Sequence, residues 1–101
     1  MKFRWSPRAL KDAKRLKTWW RRHRPKAPDL FEEELSAALR QIGSMPTLGS
    51  VYEQGEHDES VEVRRLLMPK TRNYIFYVVE GAAIVRVVCV WGGPKERGPK
   101  L

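Results

Sequence analysis

Arg64, Arg65, Lys70, Arg72, Arg86, Lys95 and Arg97 fall within one stretch of the chain, interleaved with Tyr74, Tyr77 and runs of β-branched residues. Cations fixed near one another on a sheet suit phosphate binding or phosphoryl transfer. They meet negative charge that is present or that develops, and each arginine offers two parallel N–H donors to one phosphate. Arg86 stands apart because it interrupts the apolar run 82–91. An arginine in a central strand must reach solvent, pair with a carboxylate or line a site. Tyr74 and Tyr77 have opposite parity in one strand, so only one of them can face the cations and the other belongs to the core.

The elements that must position these groups are legible in the spacing. Lys2 to Trp5 is expected as a short edge strand, and Ser6-Pro7 supplies the N-cap and first helical residue of a helix running to about position 22. Ala9, Ala13, Leu16 and Trp20 lie on one side at 100° per residue, flanked by Leu10. Trp19 falls off that stripe and is expected either to pack at the helix end, the favoured reading, or to stand exposed for a partner. Pro25 and Pro28 stop this helix. A second follows, with Asp29 and Glu32 to Glu34 near its start, where exposed amides favour negative charge. Phe31, Leu35, Ala38, Leu39 and Ile42 form its apolar face, Gly43 its C′ position, and Pro46 lies just beyond.

Strands are expected at 61–68, 73–79 and 82–91, with Glu80-Gly81 as a two-residue hairpin turn and at most a short strand at Val51-Tyr52. In the last strand, simple alternation puts Val85, Val87, Cys89 and Trp91 on one face, and Ile84, Arg86, Val88 and Val90 on the other. The sequence therefore predicts an α+β fold. A short N-terminal strand and an antiparallel two-helix hairpin come first, then an antiparallel meander of three to four strands packed on the helices. In such a meander the cations are expected to converge on one concave surface. The 101 residues suit a single domain, residues 1–101.

The formal net charge of +8 is segregated along the chain. Residues 1–26 hold 11 Lys/Arg against Asp12, residues 29–62 hold nine carboxylates against Arg40, and residues 63–101 hold eight basic groups against two acidic ones. This order suits a polyanionic or strongly acidic partner. Apolar runs are too short to span a bilayer, and the charged start M-K-F-R-W-S-P-R is not followed by an apolar signal core, so a cytoplasmic location is expected. Cys89 is the one cysteine, which excludes an internal disulfide and a cysteine-rich metal site. His57, among Glu56, Asp58 and Glu59, reads as a solvated loop histidine without a second ligand at matching spacing. No metal, cofactor, membrane or small-molecule substrate is expected.

W-S-P-R-A-L-K-D at the first strand and helix, A-P-D-L-F-E-E-E-L-S-A-A-L on the second helix, M-P-T-L-G after it, and V-R-R-L-L, N-Y-I-F-Y and V-C-V-W-G-G-P-K-E-R-G-P along the sheet resemble the RelE/ParE superfamily of toxins from bacterial type II toxin–antitoxin systems. The resemblance covers about residues 3–99. It implies a compact α+β fold, a tightly bound cognate antitoxin, and one of two activities. RelE-like members cut messenger RNA on the ribosome with sheet lysines and arginines and often a C-terminal Tyr or His. ParE-like members poison DNA gyrase by binding.

This chain departs from the nuclease pattern. It has Asn73-Tyr74-Ile75-Phe76-Tyr77 where nucleases often carry Y-R-x-x-Y, and its tail K-E-R-G-P-K-L holds neither Tyr nor His. The long basic first helix with Trp19-Trp20 also looks more like ParE, so a gyrase poison is the favoured expectation, with Arg64, Arg65, Arg72, Lys95 and Arg97 contacting the target. An RNA-cleaving reading would use Arg65, Lys70, Arg72 and Arg86 electrostatically, with Tyr77, Tyr74 or His57 carrying a proton. A generic, non-toxic nucleic-acid-binding module is a third expectation, resting on charge alone. The antitoxin is expected to lay an acidic amphipathic segment along the hairpin and sheet edge, touching Trp19, Trp20 and Arg86.

Overall fold

A computed structural model describes residues 1–52, 61–92 and 99. His57, Lys95 and Arg97 lie outside the described residues. The chain runs β1 (Lys2–Trp5), α1 (Pro7–His23), α2 (Leu30–Ser44), β2 (Ser50–Val51), β3 (Arg64–Met68), β4 (Asn73–Glu80) and β5 (Ile84–Trp91). These strands form one sheet in the order β1-β5-β4-β3-β2. The expected α+β architecture is present, but the sheet is five-stranded and mixed: β1 runs parallel to β5, with Lys2 beside Ile84 and Trp5 beside Val87. The β5 strand is thereby central. No helix among the described residues is long and apolar enough to cross a membrane.

Local chemistry explains the helices. The Ser6 hydroxyl accepts the N–H of Ala9 at 3.0 Å, and Pro7 occupies the first turn, where its missing N–H costs nothing. Arg21 and Arg22 close α1 with positive charge at its carbonyl end. Helix α2 continues through Gly43 to Ser44 and is capped at Met45, so Gly43 is helical rather than the C′ residue expected. Phe31, Ala38 and Ile42 bury its inner face, joined by Ala9 of α1 and by Ile75, Tyr77, Val85, Val87 and Val90 of the sheet. The β4–β5 turn is one residue longer than the sequence suggests: Glu80 pairs with Ile84, and Gly81 takes φ 62°, which its missing Cβ permits.

A bulge in β5 overturns the simple alternation. Phe76 pairs with Cys89 but Tyr77 with Val87, leaving Val88 as an extra residue. Beyond it the faces exchange, so Val90 joins Val85 and Val87 under the helices, while Cys89 and Trp91 turn to the opposite face. That face has its own apolar cluster of Tyr52, Val63, Phe76, Val78 and Cys89. Tyr52 donates its hydroxyl to the carbonyl of Pro99 at 3.3 Å.

Strand β1 ends at Trp5, and α1 completes the uncovered edge of β5. The Ser6 N–H donates to the Val87 carbonyl at 3.0 Å and its hydroxyl to the Val88 carbonyl at 2.8 Å. Further along, the buried Asp12 carboxylate accepts the Val90 N–H at 3.1 Å. Central-strand amides left bare would cost about 1–3 kcal/mol each. Ser6, which caps α1, and Asp12 within it take the place of a missing strand.

Candidate functional site

The turn between β3 and β4 is a four-residue loop, since Met68 pairs with Asn73. Three bonds to one carboxylate hold it. Glu34 of α2 accepts the N–H of Lys70 at 2.6 Å, the N–H of Thr71 at 2.9 Å and the Thr71 hydroxyl at 2.7 Å. The buried Asn73 donates its side-chain amide to the Thr71 hydroxyl oxygen at 3.0 Å. Arg72 adopts φ 60°, a left-handed conformation in which a side chain costs about 1 kcal/mol or more. Its N–H is fixed on the Met68 carbonyl at 2.9 Å.

Across from this turn stands the end of α1. Arg15 and Trp19 are one helical turn apart, as are Leu16 and Trp20, so the four line one flank of the helix. The Arg24 guanidinium lies 5.5 Å from the Trp19 ring centre and 5.7 Å from that of Trp20, each contact worth roughly 0.5–1 kcal/mol. Trp19 meets Trp20 edge-on at 5.6 Å and stacks on His23 at 4.8 Å. Between helix end and turn lies a cleft of about 650 Å³ that Trp91 and Gly92 close from β5. Among the described residues its lining carries Arg15, Arg24, Lys70 and Arg72 and no carboxylate, imidazole, phenol or thiol.

Among the described residues, the cations singled out in the sequence do not gather in one hollow, which corrects the expected convergence for Arg64, Arg65, Lys70, Arg72 and Arg86. Lys70 and Arg72 belong to the cleft. Arg64 is bound on the helix side, donating to the carbonyls of Thr47 at 3.2 Å and Gly49 at 2.7 Å and pairing with Glu62 at 2.7 Å. Arg65 lies on the opposite face, 5.6 Å from the Tyr52 ring centre and 4.9 Å from that of Tyr74. Arg86, level with Val78 on β4 and Arg4 on β1, pairs with Glu80. Alternation separates these groups: Arg64 and Arg65 are neighbours in one strand and must point to opposite faces.

Tyr77 is the core tyrosine of the pair. It is fully buried, donates to the Pro46 carbonyl at 2.7 Å, and accepts the Gly49 N–H at 2.9 Å. Burial raises its pKa above the ordinary phenol value, against smaller opposing effects of the Gly49 bond and Arg64. The phenol is thus neutral and sealed from any substrate on the surface. Gly49 is required by the same contact, because a Cβ there would stand 2.7 Å from the Tyr77 hydroxyl oxygen. Trp20 packs on the main core while Trp19 remains 42% exposed, so the expected packing of Trp19 at the helix end is only partial.

Arg15, Arg24, Glu34, Trp91 and Asp12 were not singled out by residue type. Two signals point to them. Arg15 precedes Trp19 by four residues, and Asp12 sits inside the apolar stripe of Ala9, Leu16 and Trp20, where a carboxylate must have a buried partner.

Among solved structures the chain is similar to the YoeB/ParE toxin from Agrobacterium tumefaciens, with a TM-score of 0.53 and 17% identity over 90% of this chain and 96% of that one. The two chains share a fold. Residues 3–95 match the model of the family described as ParE toxin of type II toxin-antitoxin system, parDE, and the chain belongs to that family. Membership makes it the toxin component of a type II system, a class whose partner is a cognate antitoxin. No match to a curated protein was found.

Proposed function

We propose that this toxin acts by binding, as a ParE-like poison of DNA gyrase. One observation carries the reading: among the described residues, the cleft between α1 and the β3–β4 turn is lined with cations and indoles and with no side chain that ordinarily exchanges a proton near neutral pH. Such a lining grips phosphate or an acidic surface without performing acid–base catalysis. Arg72 and Lys70 are the contacts proposed for the target. Arg64, already held by the Thr47 and Gly49 carbonyls and by Glu62, is left out, and Arg65 offers a second positive point on the far face.

Ribosome-dependent cleavage of messenger RNA is the second reading, and the observation favouring it is Arg65 against the Tyr74 ring at 4.9 Å. That contact puts a cation beside a phenol. Induction of the toxin in a bacterial host tests both readings at once. Accumulation of gyrase-linked DNA breaks with intact messenger RNA is expected; cleaved messenger RNA without such breaks overturns the gyrase reading.

The cognate antitoxin is proposed to use an acidic segment that reaches Trp19, Trp20 and Arg86. Trp19 and Trp20 lie on α1 and Arg86 lies on the sheet face away from the helices. A segment touching all three has to pass from one face of the sheet to the other, which favours an extended, wrapping peptide.

A further inference from the structure

We propose that the cleft between the end of α1 and the β3–β4 turn binds an unpaired nucleotide of a nucleic-acid strand, its base against the indole walls and its phosphate on Arg72 and Lys70. The site goes beyond the gyrase reading, because its chemistry does not depend on which macromolecule the toxin inhibits.

Charge selects the first part of the ligand. Among the described residues, Lys70 and Arg72 form no ion pair and no acid lines the cleft to repel an anion. Trp19 and Trp20 select the second part, a flat apolar ring with a π-face, and the Arg24 guanidinium over both indoles adds a planar cation to the wall. The volume of about 650 Å³ lies within the range of small-ligand sites.

An acidic peptide fits less well. An extended peptide docks through main-chain hydrogen bonds, and the N–H groups of Lys70, Thr71 and Arg72 are already spent on Glu34 and the Met68 carbonyl. A nucleotide needs no main-chain donor, only side-chain cations and a stacking wall. Duplex is excluded by the same geometry, since its bases are stacked on each other and cannot enter. The turn is also preorganised: Glu34 anchors it, and an arginine occupies the left-handed position that glycine would fill without strain.

The test titrates the purified full-length toxin into fluorescein-labelled dT8, U8 and an eight-base-pair duplex, reading anisotropy and indole fluorescence. Tight binding of dT8, of U8 or of both, at least tenfold over the duplex and with quenched indoles, supports the site, and the tighter strand states whether DNA or RNA is its source. Arg72→Gly should keep the fold, melt no lower than the parent, weaken strand binding about tenfold and flatten the salt dependence by about 0.7 of a log–log unit. Trp19→Ala should weaken binding by about tenfold through lost stacking. Equal binding of duplex, unchanged affinity in both variants, or indole quenching by octaglutamate with none by either strand overturns the proposal. Gyrase poisoning by a toxin that binds no strand would overturn this inference alone and leave the proposed function standing.

Discussion

The Asp12 carboxylate accepts the backbone N–H of Val90 at 3.1 Å, linking the first helix to the last strand across 78 positions of sequence. Its ion pairs with Arg8 and Arg15 are longer, 3.8 and 3.6 Å, and reach side chains that are largely solvated. The hydrogen bond therefore outweighs the charge pairs, because exposed pairs contribute only about 0–1 kcal/mol while an orphaned buried amide costs about 1–3 kcal/mol.

Asp12→Ala should lower stability by about 2 kcal/mol, a fall of roughly 10 °C in melting temperature for a domain of this size. Asp12→Asn, which keeps an acceptor oxygen, should lose about half as much. Thermal unfolding followed by circular dichroism checks the pair. Equal losses in both variants would mean that the charge, not the acceptor, matters.

Tyr77→Phe removes the hydroxyl that links Gly49 to Pro46 and should destabilise the fold by roughly 1–3 kcal/mol. Toxicity per folded molecule should be unchanged, measured as growth arrest normalised to soluble protein. A folded Tyr77→Phe toxin that no longer arrests growth would restore the phenol to a chemical role.

Stability should decline in alkali through Cys89. Burial pushes its thiol up to about 12 from an ordinary 9.0, with Arg8 lowering it and Asp12 raising it by less. The unfolded chain therefore loses this proton first. The contribution is complete below pH 9 and is lost as pH rises toward 12. Urea midpoints from pH 8 to 11 should fall, and fall less steeply in Cys89→Ala. The native thiol, fully buried, should also resist iodoacetamide at pH 8 until denaturant is added.

Glu34→Ala should release the turn that carries Lys70 and Arg72, since three hydrogen bonds end on this carboxylate. A loss of about 2 kcal/mol and a weaker grip on the target are expected together, the second by at least fivefold. Denaturation and a target-inhibition titration on the same preparation measure both. Retained potency would show that the turn need not be fixed to act.

Much of the architecture was legible in local chemistry. Ser6-Pro7 marked the start of α1, the apolar spacing of Phe31, Ala38 and Ile42 marked the inner face of α2, and the β-branched runs marked β4 and β5. Two non-local facts were not. Parallel pairing of β1 with β5 joins residues about 80 positions apart, and nothing in either strand names its partner. The bulge at Val88 is a single extra residue, yet it reverses the faces of Cys89, Val90 and Trp91.

The cations were identified by type, but their grouping depended on those same pairings. Alternation and the sheet order sent Arg64, Arg65 and Arg86 away from Lys70 and Arg72. The cleft instead draws on Arg15 and Arg24, whose place opposite the β3–β4 turn follows only from how α1 crosses the sheet.

Purified toxin mixed with gyrase and supercoiled plasmid, and in parallel with ribosomes translating a defined messenger, measures the central claim most directly. Covalent gyrase–DNA complexes should accumulate with toxin dose while the messenger stays whole, and Lys70→Ala combined with Arg72→Gly should lower that accumulation at least tenfold. Cleaved messenger beside undisturbed gyrase turnover would contradict the account.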